Sequence, residues 1–308
     1  MKKELFFVLG ARDPECAEIA NVLEANNVPY GIAMVERGKF YNHGTNTHFG
    51  SLSSRKGPER VQTFNAYQAS SIRTVIPLKG DNTPDRVSVV LVECGMDVSS
   101  SHILRGYDFI RVDHHHPGDP GYELGPENYF EGSSIGQVCN LLGIEPSTRQ
   151  RIIAAADHCL AAAYGGMCKG VDPEELLRTR VEIKCFHRNT TETKIVADIH
   201  NAAEAIKQSK RITLFGEELA DFMDFNVMSS IPELTEASAL LGIGILKGAY
   251  IRDIDHYKYG IFSRNADVIQ GWMSRTATGS LNLKNIYGSP SRGYAGGYRS
   301  THFGSTEQ

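Results

Sequence analysis

The strongest constraint on this chain is a series of short apolar runs that alternate with helix-patterned segments. "ELFFVLG" (4–10) precedes "PECAEIANVLEANN" (14–27), where Cys16, Ile19, Ala20 and Leu23 fall on one helical face. "VPYGIAMV" (28–35), "IRTVIPL" (72–78), "RVSVVLVE" (86–93) and "YDFIRV" (107–112) are further runs, rich in β-branched residues and continuous rather than alternating. Strands of that kind suit a parallel sheet covered on both faces, so the pattern predicts an α/β fold.

Helices are predicted in "EGSSIGQVCNLLG" (131–143), with Ser133 or Ser134 as cap, and in "STRQRIIAAADHCLAAAYGG" (147–166), capped by Ser147. "VDPEELL" (171–177) starts another, with Asp172 as N-cap and Pro173 in the first position. The expected organisation is a first α/β domain over 1–190, a helical linker over 191–209, and a second, smaller α/β domain over 210–308. In that last part "RITLFG" is a strand, "ELTEASALLG" a helix, and "GAYIRDI" with "HYKYGIFS" a strand pair. The closing stretch from "GSPSRGYAGGYRS" on is glycine-rich and shows no apolar face. The polar segment 37–70 carries Arg37, Lys39, His43, His48, Arg55, Lys56 and Arg60; it reads either as a phosphate-facing lid or as a solvated insertion.

A formal net charge of -4 argues against a protein that coats long duplex DNA, while leaving room for a small phosphorylated ligand held by local cations. Six scattered cysteines, none in CxxC spacing, exclude a zinc ribbon and fit a reducing, cytoplasmic setting. The N-terminal apolar run is stopped by Arg12 and Asp13, so it reads as a strand rather than a leader. No run reaches the roughly 18 apolar residues of a membrane span, and no membrane partner is expected.

The chemistry concentrates in "RVDHHHPGD" (111–119), where an apolar strand ends in an acid and three histidines. Adjacent imidazoles gain little from packing and call for a metal ion, a phosphate or water. Other acids stand just past strand ends: Asp13 and Glu15 after the first, Glu93 after "VSVVLV". Asp157 lies inside an apolar helix. Each has a plain alternative: Asp13 as a helix cap, Glu93 at the surface, Asp157 bonded to a loop, His116 in solvent. Carboxylates and imidazoles that converge at one sheet edge require a cation, and manganese or magnesium suits such a set.

In motif order and spacing over roughly residues 4–165 this sequence resembles the DHH phosphoesterases, a family of pyrophosphatases, exonucleases, oligoribonucleases and cyclic-dinucleotide phosphodiesterases. The family's H-x-x-x-D-x-D motif aligns with Leu9-Gly10-Ala11-Arg12-Asp13-Pro14-Glu15, its strand-end Asp with Glu93, and its Asp-His-His with Asp113-His114-His115. Its Ser-Ser helix start aligns with Ser133-Ser134 and its helical Asp with Asp157. Leu9 stands where the family has histidine, and positions 15 and 93 carry glutamate for aspartate. The glycine-rich GGGH signature of the family's C-terminal domain has a weaker counterpart in "AGGYRSTHFG" (295–304), with Tyr298 in the histidine's place.

The resemblance implies a DHH domain followed by a DHHA1-like domain, and one or two manganese or magnesium ions. Asp13 and Glu93 would hold one ion; Glu15, Glu93, His114 and Asp157 the other. His115 would face the phosphate, Asp113 would orient the histidines, and Gly296, Gly297 and Arg299 would contact substrate. The implied activity is hydrolysis of a small phosphodiester, a short oligonucleotide or dinucleotide, by metal-activated water. A phosphoanhydride hydrolase and a non-catalytic binding module with a degenerate metal site are the alternatives. A homodimer is left open.

Overall fold

A computed structural model describes residues 4–10, 13–32, 34–36, 52–54, 60–62, 87–96, 108–224, 231–251, 256–278 and 282–300. The predicted strand at 72–78 and most of the cationic segment, Lys39, His43, His48, Arg55 and Lys56 included, lie outside the described residues. The protein is α/β, with a four-stranded parallel sheet and a second, mixed sheet. It divides into two compact units, 1–122 with 133–145, and 123–132 with 146–308.

The first unit holds strands β1 (Glu4–Leu9), β2 (Tyr30–Ile32), β3 (Met34–Glu36), β4 (Leu52–Ser54), β5 (Arg60–Gln62), β6 (Val87–Val92), β7 (Cys94–Met96) and β8 (Asp108–Val112), with helices α1 (Pro14–Ala25) and α2 (Ser134–Leu142). The order β2-β1-β6-β8 is parallel throughout; β3-β5-β4-β7 form a small antiparallel sheet. Phe6, Phe7, Val8, Val89, Val90 and Val92 are buried, as a parallel sheet needs. Ile19 and Leu23 of α1 and Ile135, Val138 and Cys139 of α2 are buried too, and the two helices pack together. Each such side chain stabilises the fold by about 1.5–3 kcal/mol. Register then sets up the chemistry: Leu9 pairs with Val92, and Val92 with Val112. Gly10, Glu93 and Asp113 therefore follow three strands that end level, at the carboxyl edge where such sheets bind ligands.

The second unit begins its helices where the capping signals fall. Ser147 and Gln150 form a reciprocal capping box at the start of α3 (Thr148–His158). After α4 (Leu160–Tyr164), Asp172 caps α5 (Pro173–Arg188), and Thr191 caps α6 (Glu192–Gln208). Strands β9 (Arg211–Leu214), β10 (Glu217–Phe222), β11 (Ile245–Ile251), β12 (His256–Phe262), β13 (Lys284–Ser289) and β14 (Tyr294–Ser300) join in the order β13-β14-β12-β11-β10-β9. Only β10 and β11 are parallel neighbours. Helix α7 (Leu234–Leu241) and α6 cover one face through Ala202, Ile206, Leu234 and Ala237 against Ala220, Phe222 and Ile245. Helix α8 (Ala266–Thr278) covers the other, with Val268, Ile269 and Trp272 on Leu246, Ile261 and Ala295.

The helices of the second unit pack in succession, α3 on α5, α5 on α6, α6 on α7. One sequence expectation looks different here. The glycine-rich C-terminal stretch was expected to lack an apolar face, yet β14 runs between β12 and β13 with Ala295 and Tyr298 buried. Pairing on both edges compensates for its small residues. Among the described residues no helix is long and apolar enough to cross a membrane.

Candidate metal centre

A close backbone approach builds the site. Gly10 leaves β1 by donating to the Val92 carbonyl at 2.8 Å, and a Cβ on Gly10 would lie 2.4 Å from Cys94 Cβ and 2.6 Å from the Glu93 carbonyl oxygen. Only glycine permits that crossing. Glu93 sits in the left-handed region at φ 52, uncommon for a residue with a side chain, between β6 and β7. Asp13 caps α1 by accepting from Cys16 N at 2.9 Å, with Pro14 at the first position. The cap function considered for Asp13 is thus present, and it places Cys16 on the same turn.

Asp113 organises the histidines. Its Oδ1 accepts from the backbone N–H of His114 at 2.7 Å and of His115 at 3.1 Å, and lies 2.8 Å from His115 Nδ1. Its own carbonyl is held by Gly121 N at 3.0 Å and Gln137 Nε2 at 3.2 Å. Asp119 supports the same turn: its Oδ2 accepts from His115 N at 3.1 Å and His116 N at 2.8 Å. A bond of Nδ1–H to Asp113 assigns His115 Nε2 as the ring's basic nitrogen.

The side chains then converge. His114 Nε2 is 3.5 Å from Glu93 Oε1 and 3.9 Å from Glu15 Oε2. Ser134 Oγ donates to Glu93 Oε1 at 3.1 Å, and the N–H of Ile135, in the first turn of α2, donates to Glu15 Oε1 at 3.0 Å. Cys16 Sγ lies 3.9 Å from the other Glu93 oxygen, Oε2. Glu15, Glu93, Asp113 and His114 are fully buried and His115 is 2% exposed. Ligand-capable atoms of Glu93, His114 and His115 lie within 4.8 Å of one another, and so do those of Asp13, Cys16 and Glu93. Glu93 belongs to both groups.

This donor set fits a divalent cation. Two wholly buried carboxylates beside an imidazole offer a donor set that a divalent ion would neutralise. The oxygen and nitrogen donors around His114 suit manganese or magnesium; the thiol in the other group adds a softer donor.

Of the residues expected from sequence, Asp13, Glu15, Glu93, Asp113, His114 and His115 come together in the first unit. Leu9 is 2% exposed in the core and faces no such role. His116 is partly exposed, its N–H held by Asp119. Asp157 belongs to the second unit, where its carboxylate lies 3.8 Å from Arg292 Nη2. Gly296, Gly297 and Arg299 lie within β14, paired with Gly260, Tyr259 and Tyr257. Sequence reasoning missed Cys16, Asp119 and Ser134 as members of the cluster. Cys16 was detectable as the residue three beyond a capping Asp; the Asp119 contact to His116 N–H was detectable as an Asx-type bond three residues back.

No protein-family model matches the chain, and no curated protein matches it.

Proposed function

We propose that this protein is a divalent-metal-dependent phosphoesterase that hydrolyses a small phosphodiester such as a short oligonucleotide or dinucleotide. The observation that carries the proposal is the division of Glu93: one carboxylate oxygen faces His114 and Ser134, the other faces Cys16, so one buried side chain serves two potential cation groups. Two ions that share a carboxylate are the standard arrangement for in-line displacement at phosphorus.

Glu15, Glu93 and His114 would hold one manganese or magnesium ion, and Asp13, Cys16 and Glu93 a second. Such ions supply an activated water and draw charge from the phosphoryl group. Asp113 fixes the ring of His115, whose Nε2 then binds the phosphate oxygen or holds its proton. The N–H of Ile135 donates to Glu15 Oε1 and so orients that carboxylate. Family resemblance extends the ligand set to Asp157, names Gly296, Gly297 and Arg299 as substrate contacts, and equates the two units with DHH and DHHA1-like domains. Short substrates fit the net charge of -4 better than long polyanions.

Purified protein assayed on bis-p-nitrophenyl phosphate tests this. Turnover that requires manganese, stops with EDTA and is lost in Glu93→Gln at unchanged circular dichroism supports it. Turnover indifferent to EDTA, or retained in Glu93→Gln, contradicts it. The near-complete burial of Glu15, Glu93, His114 and His115 favours a second reading, a closed metal centre that stabilises the unit without turnover. Bound metal with no hydrolysis, and unfolding on chelation, would select that reading.

A further inference from the structure

The second sheet carries a cavity that the metal centre does not use. Its position follows from register. Lys247 faces Gly260 and Ala249 faces Lys258 across β11 and β12; Gly260, Lys258 and Phe262 face Gly296, Tyr298 and Tyr294 across β12 and β14. Alternate residues share a face, so these side chains stand on one side of the sheet, around two central glycines. A depression of about 220 Å³ results, lined by Lys247, Lys258, Phe262, Tyr287 and Tyr294, with backbone at Gly260.

The walls are of two kinds. The rings of Phe262 and Tyr294 are stacked, with centroids 5.8 Å apart and an interplanar angle of 19°. Tyr287 lies over Gly296, where a Cβ would meet its hydroxyl at 2.5 Å. Two ammonium groups complete the lining. Lys247 Nζ is 4.7 Å from the Phe262 centroid and donates to Thr235 Oγ1 at 2.6 Å; Lys258 Nζ is 5.4 Å from the Tyr287 centroid. Among the described residues, no acidic side chain lines the cavity.

We infer that this cavity binds a compact phosphate monoester that carries a planar ring, with the ring against the aromatic wall and the phosphate at Lys247 and Lys258. Two cations match the charge of a phosphate monoester, which is close to two negative units at pH 7. Flat rings stack on aromatic side chains whatever their substituents. The cavity is smaller than those that enclose drug-sized ligands, which selects a one-ring ligand. The inference is independent of the metal centre.

Gly260 provides a clean variant. A Cβ there would contact its neighbours only at 3.6 Å or more, so a side chain grows into the cavity instead of into backbone. Binding to the full-length protein is measured by calorimetry in EDTA, which removes any cation from the first unit. The probes are phenyl phosphate, uridine monophosphate, uridine, benzoate and inorganic phosphate. Phenyl phosphate or uridine monophosphate is expected to bind at least tenfold more tightly than uridine, benzoate or inorganic phosphate. Gly260→Leu and Lys258→Met are each expected to weaken that binding at least tenfold, with circular dichroism and thermal unfolding confirming that both fold. Ring-bearing phosphates that bind no better than inorganic phosphate, benzoate that binds best, or affinity unchanged in a folded Gly260→Leu would overturn the inference. If Gly260→Leu fails to fold, Lys258→Met decides by the same criterion.

Discussion

Gly10 passes so close to Glu93 that a Cβ at position 10 would lie 2.6 Å from the Glu93 carbonyl oxygen. Glu93 is itself held at φ 52, so the backbone has little room to retreat. Gly10→Ala should therefore destabilise the first unit by about 1–3 kcal/mol through overpacking. It should also displace the Glu93 carboxylate and weaken manganese binding. Thermal unfolding and a manganese titration on the same preparation check both. A variant that melts and binds metal like the parent would show that the crossing is not tight.

Asp113 gathers three N–H groups on one oxygen, two from the backbone and one from His115. Asp113→Asn keeps an acceptor but removes the charge that fixes the His115 tautomer. A loss of about 10–100-fold in metal affinity or activity is expected, with the fold retained. Asp113→Ala leaves the donors stranded at a buried site and should cost about 1–3 kcal/mol in addition. Calorimetric titration and urea midpoints separate the two effects. Equal metal affinity in Asp113→Asn and the parent would remove Asp113 from the site.

Glu236 supplies a pH handle in the second unit. Burial works to raise its pKa, but Arg180, Lys184 and the Tyr164 hydroxyl outweigh it and hold the carboxyl down at about 2. Arg180 Nη2 is 2.6 Å and Lys184 Nζ 3.2 Å from Glu236 Oε2. A depressed carboxylate contributes stability that is complete above its unfolded value near 4.5 and fades as pH falls toward 2. Urea midpoints should therefore drop steeply between those values. Glu236→Gln should flatten that dependence and cost about 3–5 kcal/mol at pH 7, because it takes the carboxylate from Arg180 at a buried site, while Lys184 keeps Glu233. The same steep slope in Glu236→Gln would exclude this network as its source.

Lys247 provides the second handle. Burial, with repulsion from Lys258 and Lys184, lowers its pKa to about 8. The groups around it are Lys258 on β12, Lys184 on α5, Thr235 on α7 and the tyrosines of the cavity. Phosphate monoesters reach full charge above a pKa of about 6. Affinity for phenyl phosphate should then peak between about pH 6 and 8 and fall above that range as Lys247 loses its proton. Calorimetry over pH 5–10 reads this profile. A flat profile through pH 9 would exclude Lys247 as a contact.

Local signals were the most legible. Ser133 and Ser147 cap helices and Gly143 ends α2 at φ 68, each as its residue type suggests. The parallel sheet followed from continuous β-branched runs, since both of its faces are covered. The convergence of Asp13, Glu15, Glu93 and His114 was legible as acids past strand ends, although which oxygen meets which nitrogen depends on register and on the Gly10 crossing. Cys16 was hidden because one cysteine on an apolar helix face looks like core; Glu93 Oε2 gives it a polar neighbour. The C-terminal glycines misled in another way. Gly296 lies in the stretch expected to lack an apolar face, but it is a strand residue whose missing side chain lets Tyr287 lie across the sheet.

The most direct test is anomalous diffraction from crystals of the protein equilibrated with manganese. The expected result is a peak bonded to a carboxylate oxygen of Glu93 and to His114 Nε2, absent from Glu93→Gln crystals grown in the same way. No peak at Glu93 under saturating manganese, or an undiminished peak in Glu93→Gln, would contradict a cation centre at this sheet edge.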